Sequence, residues 1–164
     1  GLPIQVQQPT ASSWGENGYF KVWLNKDNSW MYPYQHDAER RMTEFANRYA
    51  GNADALVGMD ATSAASASHA GGTGVAGEGA CVPAKRILNQ MARELLLAQS
   101  SDWAFQIYQG TTVQYSSRRF QSHIQRFNML ADILESGNLD DDLLCEIEAR
   151  DNIFAEIDYG VFAQ

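Results

Sequence analysis

Thiols, basic residues and long apolar runs are all scarce in this chain. Cys81 and Cys145 are the 2 cysteines among 164 residues. A disulfide-stapled fold is therefore not indicated, and free thiols in a cytoplasmic protein are the expected state. The two thiols also stand too far apart to make a metal-ligand motif. Lys and Arg number 12 against 20 Asp and Glu, giving a net charge of −8 and a pI near 4.7. A nucleic-acid partner is excluded on that balance, because phosphates need a basic face. No apolar run approaches the roughly 18 residues that would cross a bilayer, so no membrane partner is expected. Aromatics are absent from the whole of 51–82, which is instead rich in Gly, Ala, Ser and Thr. Such a stretch has little to bury, and we expect a flexible insertion there. Its glycines (Gly71-Gly72-Thr73-Gly74) lack the following Lys-Ser/Thr of a phosphate loop, so no nucleotide cofactor is expected. No other cofactor or metal is expected either; His36 has no second ligand at i+4, and His69 lies within the insertion.

What the chain does contain is aromatics near its start. Seven of the 18 aromatics (4 Trp, 7 Tyr, 7 Phe) fall between Trp14 and Tyr34. Trp14 and Trp23 frame Gly15, Glu16, Gly18, Tyr19 and Phe20, a composition suited to a shaped loop rather than a helix. Indole faces stack on the apolar faces of sugar rings, and nearby amides and carboxylates bind hydroxyls. The same tryptophans would also serve as ordinary core residues.

Beyond the loop the apolar spacing is helical. Ala38, Met42, Phe45 and Tyr49 predict a first helix starting near Pro33. Leu88, Met91, Ala92, Leu95 and Ala98 predict a second over 83–100, widened by Leu96 and Leu97 and hence central, with Lys85, Arg86 and Arg93 wet. Glu94 in that arc reads as a partly exposed carboxylate with a basic neighbour. The helix ends in Ser100-Ser101-Asp102-Trp103, a patch able to bind sugar hydroxyls and stack on a ring, or to cap a short helical turn through Phe105 and Tyr108. A third helix is predicted over 112–136, with Val113, Phe120, Ile124, Phe127, Ala131 and Leu134 inward and Gly137 as its stop. His123 beside that stripe reads as a structural histidine, and Arg118, Arg119 and Arg126 as solvated or ion-paired. A fourth helix is predicted over 140–151, with Phe154, Tyr159 and Phe162 pinning an irregular tail. No β-alternation stands out. The fold class is mainly α: a small helical bundle with an aromatic-rich N-terminal loop and a flexible Gly/Ala/Ser-rich insertion.

Four segments carry a family resemblance. Ser12-Ser13-Trp14-Gly15-Glu16-Asn17-Gly18-Tyr19, running on to Val22-Trp23-Leu24-Asn25, is similar to a segment of the glycoside hydrolase family 57 1,4-α-glucan branching enzymes. Further segments of the same family follow in order: Ala92 to Trp103, Arg118-Arg119 through His123 to Arg126-Phe127-Asn128, and Glu148 to Phe154 with Asp158-Tyr159. The resemblance implies a helical C-terminal domain packed beside a distorted β/α barrel that cuts an α-1,4-glucan and transfers the freed segment to a 6-hydroxyl. It implies that the retaining carboxylate pair, about 5–5.5 Å apart, comes from the barrel, so no catalytic residue is assigned here. Glu16 and Asp102 fall on family segments that are not the catalytic ones.

By the same resemblance Trp14, Trp23, Ser100, Asp102 and Trp103 border the glucan cleft. The implied partners are an α-1,4-glucan and the upstream catalytic barrel. Residues 1–13 are then a linker and 14–164 the helical domain, with 51–82 inserted in it; we expect the chain to be the C-terminal part of a longer protein. A free-standing helical domain that binds carbohydrate or protein without chemistry is the alternative.

Overall fold

The computed structural model describes residues 10–58 and 82–164. Helices dominate: α1 (Tyr32–Arg48), α2 (Ala84–Ala98), α3 (Ser101–Gln109), α4 (Val113–Ser136) and α5 (Asp141–Arg150). Short 3-10 turns occupy Glu16–Gly18, Phe20–Val22, Ser29–Met31 and Tyr159–Phe162. The mainly α fold class read from the sequence is the one observed.

Helix α2 is the centre of the bundle. It packs along α4 and is also touched by α1 and α5. Its Leu88, Met91, Ala92, Leu95 and Ala98 are buried, as are Ala38, Met42 and Phe45 of α1 and Phe120, Ile124, Phe127, Ala131 and Leu134 of α4. These three stripes meet in one continuous core. Chain stops follow local chemistry: Gly110 and Gly137 end α3 and α4 at φ 73° and 72°, where a side chain would be strained. Asp140 caps α5, its Oδ1 accepting from the Leu143 N–H at 2.9 Å.

Several details depart from expectation. The turn anticipated after Ser100 is a full helix, α3, hidden from sequence reasoning because only Ala104 and Ile107 are buried on it. Val113 is 40% exposed because it sits in the first turn of α4, before the helix reaches the core. Phe154 does not pin the tail; it is exposed at φ 53°. Tyr159 does, buried with its hydroxyl donating to the Tyr49 carbonyl at 3.0 Å. Arg86 is not wet but reaches across to α5, donating to Glu148 at 2.6 Å and Asp141 at 3.1 Å. Those carboxylates hold its guanidinium protonated well beyond the ordinary arginine range.

Between α1 and α2 the described ends of the 51–82 stretch are tied together. Strands β1 (Leu56–Val57) and β2 (Val82–Pro83) pair antiparallel, Leu56 opposite Pro83. Two residues are too few to show a period of 2, which is why no strand was anticipated. The expected flexibility of 59–81 falls outside the described residues, as does Cys81. Cys145 is a free, exposed thiol. No helix among the described residues is long and apolar enough to cross a membrane.

Candidate functional site

The aromatic loop is built by backbone and short polar side chains. The Ser13 hydroxyl donates to the Tyr19 carbonyl and accepts from the Gly15 N–H, while Ser13 N–H and Gly18 N–H close two backbone turns at 2.9 Å each. Asn17 and Gly18 both adopt positive φ. At Gly15 an added Cβ would collide with the Tyr19 carbonyl and lie 3.1 Å from Trp23 Cζ3. Gly15 is thus the place where backbone and indole touch, and Gly15→Ala should spread the loop. The indole fluorescence of the loop should shift towards that of solvent-exposed tryptophan, with helicity by circular dichroism unchanged. Lost helicity would contradict this confinement to the loop.

A second group of bonds fastens the loop to the helices. Asn28 is fully buried. Its Nδ2 donates to the carbonyls of Val22 at 2.9 Å and Ala104 at 3.2 Å, and its Oδ1 accepts from the Asn25 N–H at 2.8 Å. The Tyr32 hydroxyl donates to the Trp23 carbonyl at 2.6 Å. Burial raises the Tyr32 phenol above its ordinary pKa, so the donor stays protonated. Asn28→Ala would leave buried carbonyls unpaired, at a cost of about 1–3 kcal/mol. The expected result is a lower urea midpoint; an unchanged midpoint would rule out this anchoring role.

These anchors place the two loop tryptophans differently. Trp14 is 95% exposed, whereas Trp23 is half-buried. Together with Gly15, Val22 and the α3 residues Phe105 and Tyr108 they line a hollow of about 490 Å³. Trp23 also lines a second hollow, of about 260 Å³, with Gln35, His36, Glu39, Gln99 and Ser100. Trp23 therefore stands as a ridge between an apolar hollow and a polar one. In the polar hollow, Gln99 Nε2 donates to Glu39 Oε1 at 2.7 Å and Gln35 Nε2 to the Ala98 carbonyl at 3.2 Å, so its side chains are held in place.

Of the residues singled out from the sequence, Trp14, Trp23 and Ser100 line these hollows; Asp102 and Trp103 are not among the lining residues. Asp102 is exposed in the first turn of α3, where the helix dipole favours a carboxylate. Trp103 turns inward: its Nε1–H donates to the Leu97 carbonyl at 2.7 Å and its ring stacks on His123. Gln35, Glu39 and Gln99 went unnoticed because polar residues on a helix carry no distinguishing period. Only Gln99, inside the Ala92–Trp103 segment, was within reach.

Beneath the site lies a buried charge cluster. Glu94 and His123 are fully buried and Asp151 is 6% exposed. Glu94 is thus not the partly exposed residue its position suggested; His123 and Arg126 of α4 and Asp151 at the end of α5 gather around it. His123 Nδ1 lies 2.7 Å from Glu94 Oε2, and Arg126 Nη1 lies 2.7 Å from Asp151 Oδ2 and 3.7 Å from Glu94 Oε2. Glu94, His123 and Asp151 are close enough together to suggest metal ligands. The Arg126 guanidinium, however, already stands between the two carboxylates, and Arg119 lies 3.9 Å from Asp151. Two carboxylates and two guanidiniums balance, which leaves a cation no electrostatic reason to enter.

A family model described as 1,4-alpha-glucan branching enzyme, C-terminal, matches residues 78–162. The chain belongs to that family. It is 30% identical over 166 residues to the 1,4-alpha-glucan branching enzyme TK1436 of Thermococcus kodakarensis, covering 99% of this chain. A solved structure of TK1436, in complex with glucose and additives, superposes with a TM-score of 0.69 over 93% of this chain. A branching enzyme from Pyrococcus horikoshii matches with a TM-score of 0.71, 31% identity and full coverage of this chain. The α-amylase AmyC of Thermotoga maritima matches with a TM-score of 0.69, 34% identity and 99% coverage. This chain spans 20% of the TK1436 sequence, and 26% and 24% of the Pyrococcus and Thermotoga chains.

Proposed function

We propose that this chain walls one side of the glucan cleft of a 1,4-α-glucan branching enzyme, a transferase of glycogen-like polymers. The observation that carries this reading is Trp23, displayed as the shared wall of an apolar and a polar hollow. On the apolar side Trp14 and Trp23 stack on the C–H faces of glucosyl rings. On the polar side Ser100, Gln99 and Glu39 take their hydroxyls, and Asp102 and Trp103 complete the helix end below. The catalytic carboxylate pair belongs to the barrel of the same polypeptide. Residues 14–164 then form the wall, 1–13 lead in from the barrel and 51–82 are inserted in the wall. The exposed Cys145 thiol suits a cytoplasmic enzyme working on its own polymer store.

A wall of this kind acts on the outcome of the reaction. Once the glucosyl intermediate has formed, water and a sugar 6-hydroxyl compete for it. Excluding water and holding an acceptor chain on aromatic rings favours transfer. Likeness to an α-amylase at 34% identity makes hydrolysis the second reading, with the same wall binding the same polymer.

Iodine-stained amylose tests the assignment. The chain alone should leave the absorbance unchanged. The full-length polypeptide should lower it without a matching rise in reducing ends; a matching rise would mean hydrolysis. Decolouration by the chain alone, abolished by Asp102→Asn, would place the chemistry here and overturn the proposal.

A further inference from the structure

A third hollow, of about 460 Å³, lies away from Trp23 on the other side of α1. Its base is Phe120 and Ile124 of α4, both buried. Its aromatic wall is Trp30 and Tyr34. Trp30 stands edge-on to Phe120 at 5.4 Å and to Tyr34 at 6.5 Å, and its Nε1–H is spent on the Asp27 carbonyl at 3.1 Å, so the ring is fixed. Opposite run Gln121, Gln125, Asn128 and Asp132, which line the same hollow. Steps of four, three and four residues put them on one face of α4, a row about 16 Å long. Arg41 Nη1 donates to Asn128 Oδ1 at 2.6 Å, which fixes that amide by its oxygen and leaves its NH2 to offer.

We propose that this groove is a second, non-catalytic binding site for an α-glucan chain. A fixed indole and the Tyr34 ring beside three amides and the Asp132 carboxylate suit a polyhydroxyl ligand, whose apolar faces stack while adjacent hydroxyls pair with those donors and acceptors. No Lys, Arg or His lines the groove, which disfavours phosphate and other anions. The site rests on the cleft reading in one respect: the polymer that enters the cleft is long enough to be held at a second place on the same domain.

The test uses the full-length polypeptide. Native gels containing amylopectin report polymer affinity, and turnover of maltoheptaose reports the cleft. Tyr34 is 55% exposed and Gln125 is exposed, so Tyr34→Ala/Gln125→Ala should fold. It should weaken amylopectin retardation roughly tenfold with maltoheptaose turnover unchanged. Trp23→Ala should instead lower maltoheptaose turnover. Retardation equal to the parent would overturn the groove. So would a fall in both readouts, or earlier melting of the double variant, which would mark a protein interface with the barrel. If Trp23→Ala kept full turnover while the double variant lost retardation, the cleft reading would fall and the groove would stand.

Discussion

Arg126→Ala should destabilise this domain by about 3–5 kcal/mol, the usual cost of stripping one partner from a buried ion pair. Arg126 is the guanidinium that faces both Glu94 and Asp151, and its removal takes a fixed positive charge from beside two buried carboxylates. Gln90 Nε2 would still donate to Glu94 Oε1 at 3.1 Å, but an amide brings no charge. The cluster ties α2, α4 and the residue that ends α5, so the loss should be cooperative. Urea unfolding should show a much lower midpoint with an unchanged slope. Glu94→Ala should behave alike. The double variant Glu94→Ala/Arg126→Ala should cost less than the two single losses added together, because each single change strands a charge that the double removes. Additive losses would mean that the cluster is merely surface-like pairing.

How much of this was legible in the sequence depended on period. Core stripes such as Ala38–Met42–Phe45 and Phe120–Ile124–Phe127 repeat every three or four residues, and burial enforces that repeat. Glycines at forced positive φ, such as Gly137, mark ends for an equally local reason. Helix α3 has too little buried surface to show a stripe, so only its capping residues hinted at it. The charge cluster is assembled from Glu94, His123, Arg126 and Asp151, positions as much as 57 residues apart, and no local rule pairs them. The lining of the two hollows was half legible. Trp14 and Trp23 stood out because tryptophans in a glycine-bounded loop have no helical stripe to serve. Trp103 looked equivalent in composition, yet its N–H is satisfied by Leu97 and its ring covers His123, which only the fold reveals.

Trp23→Ala should cost transfer activity far more than stability. The indole is half-buried and forms the ridge between two hollows, while the core of α1, α2 and α4 closes without it. Only the backbone of Trp23 is engaged by Tyr32, a bond that alanine keeps. A core tryptophan or phenylalanine cut to alanine loses about 3–5 kcal/mol. A ridge tryptophan should lose about 1 kcal/mol, a few degrees of melting temperature at this size. In the proposed cleft-wall role its loss removes the stacking surface for glucan and should lower transfer by at least about tenfold, or ~1.4 kcal/mol. Trp14→Ala, at a side chain already almost wholly in solvent, should leave melting unchanged and lower transfer in the same direction. Phe127→Ala is the control, since that ring is fully buried at the α2–α4 contact and should melt early. The decisive measurement is therefore glucan transfer and melting temperature, taken together, for full-length Trp23→Ala beside Phe127→Ala. Strongly reduced transfer with near-parental melting in Trp23→Ala is the predicted result. Melting as early as Phe127→Ala, or parental transfer, would contradict the cleft-wall role.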